Sequence, residues 1–356
     1  MTDRNMKVSF LGAGAIGSMF AALLKHYAPD LDVLVVVRGA HGQAISESGE
    51  IRTLGPWGTR SVPIAWSFDP ADVAGSDFVF VTVKSQGTAE ALQQAGDAIG
   101  DAVVVSIQNG INDQAYANHV APERLVMGMT TTNMAVREPG TVSMQLDGCT
   151  LFGPPIGLNS IAAAEKVVEL LNRIHVPGLE FLPHSNILGI RYNKLTINAL
   201  GYASCLSASN FMTEALFHRP WRRVVGRAIV DECKRVYSAV GIQIARIPGR
   251  SDLSRLENLM LALELPILDK VVQLGLRGKF ERSPIVFSLY QDLERGKPTE
   301  VEHINGQVVR LAESAGIHAP VNREIVSMTH ELEQQAAATF YARQDVIDRI
   351  SKLTAS

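Results

Sequence analysis

Several short stretches of this chain carry residue types at spacings that could do chemistry. Gly12-Ala13-Gly14-Ala15-Ile16-Gly17 is a Gly-x-Gly-x-x-Gly turn that follows the apolar run 7–11 and opens a helix-like stretch over 18–26. Between a strand and a helix, the first glycine permits a tight turn, the second lets the backbone approach a pyrophosphate, and the third lets the helix pack on the sheet. The helix start then offers unpaired N–H donors to phosphate. About 20 residues past the last glycine, where an acidic side chain would hold the ribose 2′-OH of NAD, stands Arg38. A guanidinium offers paired donors and positive charge to a 2′-phosphate instead, so the sequence predicts NADP(H) over NAD(H). The structural alternative is a surface arginine in a loop with Gly39, His41 and Gln43.

A second set lies further on. In Asn193-Lys194-Leu195-Thr196-Ile197-Asn198, Lys194 and Asn198 are four apart and share a helix face that Tyr202 continues. Among Leu188, Ile190, Leu195, Ile197 and Leu200 the lysine should be partly desolvated, which lowers its pKa and suits it to protonate a carbonyl oxygen. The alternative is a lysine that snorkels past apolar neighbours to water. Thr299 and Glu302 can form a capping box that opens the last large helix, with Glu300 favouring its positive end.

These groups need elements to position them. Apolar, β-rich runs at 7–11, 33–37, 77–83, 102–107, 125–130, 141–145 and 179–183 alternate with helical stretches, among them an amphipathic one at 160–175. That pattern predicts βα units and a mostly parallel sheet, the α/β class. From 185 onward the pattern is helical almost to the end, so a Rossmann-type domain over 1–182 should precede an all-α domain over 183–356. Open α/β sheets bind ligands outside the carboxyl ends of their strands. Two such ends carry polar residues, Lys84 in Thr82-Val83-Lys84-Ser85-Gln86 and Asn109 in Gln108-Asn109-Gly110. The segment 246–283, with breaks at Pro248-Gly249, Pro266 and Gly278, could act as a cover, and the last twenty residues read as a surface helix or tail.

Composition narrows the class. The 356 residues are 46% hydrophobic and 19% charged with a net charge of -3, a balance that gives no electrostatic case for nucleic acid. No run approaches the ~20 apolar residues of a membrane helix. Three cysteines without Cys-x-x-Cys spacing indicate neither a disulfide framework nor zinc, and fit a reducing, cytoplasmic setting. Nine scattered histidines offer no metal-ligand pair.

The ordered set Gly-Ala-Gly-Ala-Ile-Gly, Val-Lys, Gln-Asn-Gly, Lys-Leu-x-x-Asn, Ser-x-x-Gln-Asp and Pro-Thr-Glu-x-x-x-Ile-Asn-Gly resembles the ketopantoate reductase family, over residues 7 to about 330. The resemblance implies a Rossmann domain joined to a helical one and NADPH-dependent reduction of a branched 2-oxo acid in pantothenate biosynthesis, in a cleft that closes over both ligands. It implies Lys194 as general acid and carbonyl anchor, with Asn198, Ser288 and Asn109 toward the substrate and Tyr202 at a substrate position. It implies cofactor contacts at residues 12–17, Arg38, Lys84, Asn109, Ala135 and Glu300, and leaves a homodimer open. The chain departs from the family pattern in three places, Tyr202 in place of a second asparagine, Gly87 in place of a glutamine, and a 246–283 segment longer than the usual connection. The alternatives are a reductase of a different, larger 2-oxo acid, an opine-type dehydrogenase, or a non-catalytic NADP(H)-binding sensor.

Overall fold

The computed structural model describes residues 5–249, 252–265, 288–294, 296–335 and 339–354. The chain divides into two compact units, residues 1–188 and 189–356.

In the first unit an eight-stranded sheet is built on β1 (Lys7–Leu11), β2 (Asp32–Val36), β6 (Phe78–Val81) and β7 (Val103–Ser106). These strands are nearly continuous runs of buried apolar residues, as expected where both faces of a parallel sheet are covered. With β5 (Ala65–Ser67), β8 (Leu125–Thr130), β11 (Gly148–Gly153) and β12 (Leu179–Pro183) the order is β12-β11-β8-β7-β6-β1-β2-β5. All neighbours are parallel except β8 and β11.

A second sheet of order β4-β3-β10-β9 is made by β3 (Glu50–Gly55), β4 (Gly58–Pro63), β9 (Asn133–Glu138) and β10 (Thr141–Leu146). The run at 141–145 is therefore a strand, but it belongs to this smaller sheet and not to the parallel one. Helix α1 (Ala15–Tyr27) explains why two sheets are needed. Every residue from Gly17 to Leu24 is buried, so the helix is apolar on all sides and must be covered on all sides. Val8 and Phe10 of the large sheet share one core with Phe20, Leu23 and Leu24 of α1, and Ile51, Val62 and Val142 of the small sheet join the same core. Helix α2 (Gly39–Ser48) replaces the loop considered after Arg38, α3 spans Thr88–Ala95, and the amphipathic stretch at 160–175 forms α4 (Ala162–Leu171).

The second unit is helical throughout its described residues. Its long helix α5 (Ile187–Cys205) begins at the junction of the units, and further helices span Arg227–Ala239, Leu253–Ala262, Ser288–Glu294, Asn305–Ser314, Pro320–Glu333 and Arg343–Thr354. The last of these buries Val346, Ile347 and Ile350. Of the 246–283 segment, residues 250–251 and 266–283 lie outside the described residues. The capping box does not form. Thr299 Oγ1 accepts from the Val301 N–H at 3.3 Å, but Glu302 turns to Arg310 and His330, and a short 3-10 turn at Val301–His303 intervenes before the helix that starts at Asn305. That helix is also not the last large one. The three cysteines are buried and form no disulfide, and burial pushes the Cys205 and Cys233 thiols up to about 12, which makes those two unreactive at neutral pH. No described helix is long and apolar enough to cross a membrane.

Candidate nucleotide and active site

The nucleotide corner is assembled by the strand order. Strands β7, β6, β1 and β2 are consecutive neighbours, so their carboxyl ends lie side by side, and each exits into residues singled out above. The three glycines of the turn off β1 do three different things. Gly12 has φ +102°, and a side chain there would drive its Cβ to 2.5 Å from Val83 Cγ1 and 2.7 Å from the Val83 N. Gly17 lets α1 approach so closely that a Cβ would lie 2.3 Å from Gly12 O and 2.4 Å from Thr82 Oγ1. At Gly14 a Cβ would meet only Thr82 O, at 3.9 Å, so the space beside it is open. The turn is held by two N–H groups, of Gly12 and Ala13, that both donate to Val36 O at 3.2 and 3.1 Å. Helix α1 has neither a side-chain cap nor an acidic residue in its first turn, which leaves its positive end ready for an anion. This cradle, flanked by Ala15 and Ile16 at the helix start, fits a dinucleotide pyrophosphate.

Arg38 is exposed at the N-cap of α2, whose first turn also lacks an acidic residue. Its guanidinium reaches the turn after β6, where a Cβ on Gly87 would lie 3.3 Å from Arg38 Nη2. The absent side chain at Gly87 thus leaves room for the arginine. Lys84 is exposed on the same turn and Asn109 is half-buried on the neighbouring one. Ser85 Oγ donates to Asn109 O at 2.7 Å and ties the two turns together. The structure therefore gathers residues 12–17, Arg38, Lys84 and Asn109 at one edge. Ala135 sits apart from them in sequence on β9, a strand of the small sheet that packs against α1.

Sequence reasoning passed over Gln108. Its side chain is buried, Nε2 donates to Val83 O and to Thr88 Oγ1 at 2.7 Å each, and Oε1 accepts from Asn112 Nδ2 at 2.5 Å and from the Tyr116 hydroxyl at 2.6 Å. Val83 is the residue that abuts Gly12, so Gln108 sets the wall against which the glycine turn is built. The available signal was a glutamine directly after a buried apolar strand, where a polar side chain must find partners.

In the second unit α5 presents Lys194, Ile197 and Asn198 as its half-buried stripe, with Tyr202 one turn on and only 3% exposed. The opposite stripe is anchored. Asn193 Nδ2 donates to Ala245 O at 2.9 Å and to Asp252 Oδ1 at 2.8 Å, and Asn193 Oδ1 accepts from the Leu253 N–H at 2.9 Å. Thr196 Oγ1 bonds the Tyr237 hydroxyl at 3.2 Å, and Tyr192 and Tyr237 rings sit 4.9 Å apart. With one face fixed, the rotation of α5 is fixed, and so is the direction in which Lys194 and Asn198 leave the helix. Ser288 opens the helix Ser288–Glu294, and Glu300 is buried as the N-cap of the turn Val301–His303. The Asn of the Ile-Asn-Gly motif is structural. Asn305 is fully buried and its Nδ2 donates to Asn322 Oδ1 at 2.9 Å, while Asn322 in turn is held by Glu232.

Fold and glycine cradle together define a Rossmann-type dinucleotide-binding protein. Two family profiles match the chain, "Ketopantoate reductase PanE/ApbA" over residues 8–156 and "Ketopantoate reductase PanE/ApbA C terminal" over residues 186–333. The chain belongs to the ketopantoate reductase family. It is 30% identical over 326 residues to a 2-dehydropantoate 2-reductase of Pyrococcus horikoshii, covering 89% of this chain and 94% of that one. It is 27% identical over 326 residues to that of Halobacterium salinarum, covering 91% and 97%. In fold it is similar to a PanE/ApbA family ketopantoate reductase from Ralstonia eutropha JMP134, with a TM-score of 0.73, 24% identity and coverage of 92% and 98%. It is similar also to D-mandelate dehydrogenase in its ternary structure with NADH and anilino(oxo)acetate, with a TM-score of 0.76, 23% identity and the same coverage.

Proposed function

We propose that this chain reduces 2-dehydropantoate (ketopantoate), or a closely related branched 2-oxo acid, to the 2-hydroxy acid with NADPH, and that Lys194 is the general acid. The observation that carries this reading is the α5 stripe, where a lysine and an asparagine four residues apart leave a helix whose other face is locked. When bound, NADPH supplies the hydride that reduces C2. Lys194 Nζ donates a hydrogen bond, then a proton, to the C2 oxygen as negative charge develops there, a contribution of about 10² to 10⁴ in rate. Asn198, Ser288 and Asn109 orient the substrate's polar groups. Residues 12–17 receive the pyrophosphate, Lys84, Ala135 and Glu300 complete the cofactor contacts, and Arg38 at the start of α2 takes the 2′-phosphate, with no carboxylate in that helix turn to repel it. Curated relatives that cover most of the chain are named 2-dehydropantoate 2-reductase, which supports the substrate class.

A second reading is favoured by Tyr202, a buried phenol at a position where the family pattern has an asparagine. It keeps the chemistry and changes the acid to a larger or aromatic 2-oxo acid. The experiment is NADPH oxidation, followed by absorbance, with ketopantoate beside a panel of 2-oxo acids, repeated with NADH. Turnover with ketopantoate supports the first reading, and turnover only with an aryl-bearing acid supports the second. Bound NADPH that no acid oxidises refutes both in favour of a sensor. Lys194→Ala should lose most turnover and keep its affinity for NADPH, and an unchanged rate removes Lys194 from the mechanism.

A further inference from the structure

His41 is one of the scattered histidines, and the structure gives it a place that its sequence position does not suggest. It lies in the first turn of α2, three residues after Arg38, and is half-buried. The Gly140 N–H donates to His41 Nδ1 at 2.9 Å. A backbone N–H can only donate, so Nδ1 carries no proton and the ring proton of the neutral imidazole is on Nε2. That Nε2 lies 3.0 Å from Ser18 Oγ. Ser18, fully buried in the first turn of α1, in turn donates to Ala13 O at 3.0 Å. A directed chain of three hydrogen bonds therefore runs from the β9–β10 turn, through His41 and Ser18, to a carbonyl inside the Gly-x-Gly-x-x-Gly turn. Burial lowers the pKa of His41 and keeps the ring in the neutral form that this chain requires.

The chain touches three segments that the proposed function gives to the cofactor. Ala13 lies between Gly12 and Gly14. Arg38 caps the helix that holds His41. Gly140 closes the hairpin whose strand β9 bears Ala135. We propose that His41, acting through Ser18, is a positioning residue for the dinucleotide. It fixes the orientation of the Ala13 carbonyl, and with it the peptide plane that carries the Gly14 N–H, before the pyrophosphate arrives. This inference rests on the reading of residues 12–17 as the pyrophosphate site. Groups preorganised in this way spare the ordering cost at binding, and one orienting hydrogen bond of ordinary strength corresponds to about a tenfold change in affinity.

The test is the NADPH dissociation constant by nucleotide fluorescence on the full-length protein, with melting temperature measured in parallel. His41→Ala is expected to weaken NADPH about tenfold. In His41→Gln the amide Nε2 can stand where the imidazole Nε2 stands and donate to Ser18, so affinity is expected to recover most of the way. In His41→Asn the amide replaces only Nδ1, keeps the bond to Gly140 and loses Ser18, so affinity is expected to stay low. Ser18→Ala cuts the chain without touching the histidine and should match His41→Ala, which keeps the test sound if the latter folds poorly. Equal affinities in wild type and both alanine variants overturn the proposal. So does a loss that follows melting temperature alike in the Ala, Gln and Asn variants, since that is a packing effect. Wild-type protein that binds no NADPH overturns instead the reading of the glycine turn, and the inference with it.

Discussion

Replacing Gly14 and Gly17 one at a time by alanine separates binding from folding at the same turn. Gly17→Ala forces a methyl to 2.3 Å from Gly12 O and 2.4 Å from Thr82 Oγ1. Both neighbours belong to the packed junction of β1, β6 and α1, so the helix must move away. Overpacking of this kind costs ~1–3 kcal/mol, or a melting temperature lower by ~2–12 °C for a unit of this size. Gly14→Ala is different. The residue sits at φ -77°, which any L-residue adopts, and its Cβ meets only Thr82 O at 3.9 Å, so the apo protein should melt as wild type does. The methyl does intrude where the pyrophosphate approaches. Wild-type protein with NADPH at 100 times its Kd gains ~2.7 kcal/mol, a shift of ~5–11 °C. If the methyl costs the complex a similar ~2.7 kcal/mol, Kd rises ~100-fold and the gain falls to ~0.4 kcal/mol, a shift of about 1 °C. Thermal melting with and without NADPH reads both effects in one assay. A Gly14→Ala protein that keeps the wild-type NADPH shift refutes the assignment of this turn to the pyrophosphate. A Gly17→Ala protein as stable as wild type refutes the packing argument.

Arg38→Ala should weaken NADPH by ~1.5–3 kcal/mol, the value of hydrogen bonds to a charged group, and leave NADH almost unchanged; parallel loss of both cofactors in a binding titration would place Arg38 elsewhere. Asn193→Ala strips partners from Ala245 O, from the Leu253 N–H and from the buried Asp252 carboxylate, so it should cost ~1–3 kcal/mol or more and lower the melting temperature by at least a few degrees. An unchanged melt would mean that α5 is not held through this contact. His330 donates to Glu302 Oε1 at 2.9 Å and lies 2.7 Å from Glu333 Oε2, and the bond to Glu302 raises its pKa above the ordinary 6.5. Its raised folded-state value means that this stabilisation is fully present below the ordinary histidine value and is lost as pH climbs through the raised one. The side chain is 42% exposed, so the contribution is under ~1 kcal/mol. The stability gap between wild type and His330→Ala should close at alkaline pH, and a gap that is constant with pH would mean the pair carries no charge interaction.

Elements whose identity is local can be read from the residues alone. Gly12 and Gly17 announce a strand-to-helix turn because no other residue tolerates φ +102° or such close packing, and the largely apolar runs of β1, β6 and β7 announce parallel strands because both of their faces are covered. The Lys194 to Asn198 spacing places two polar groups on one helix face wherever that helix goes. The family was also legible, since its motifs occur in order along most of the chain. Whatever depended on contacts between distant segments was decided by the tertiary structure. The run at 141–145 has the composition of any half-buried strand, and only the need to cover the outer side of α1 assigns it to a second sheet. Thr299 and Glu302 satisfy the capping-box spacing, yet Arg310 and His330 compete for the glutamate and win because folding brings them to it. Gln108 and His41 look like ordinary polar residues in sequence. Their roles come from the bonds of Gln108 to Val83 and Thr88, 25 and 20 positions away, and of His41 to Ser18 and Gly140, 23 and 99 positions away, and a hydrogen bond that bridges such separations is specified by the fold and by nothing in the neighbouring residues.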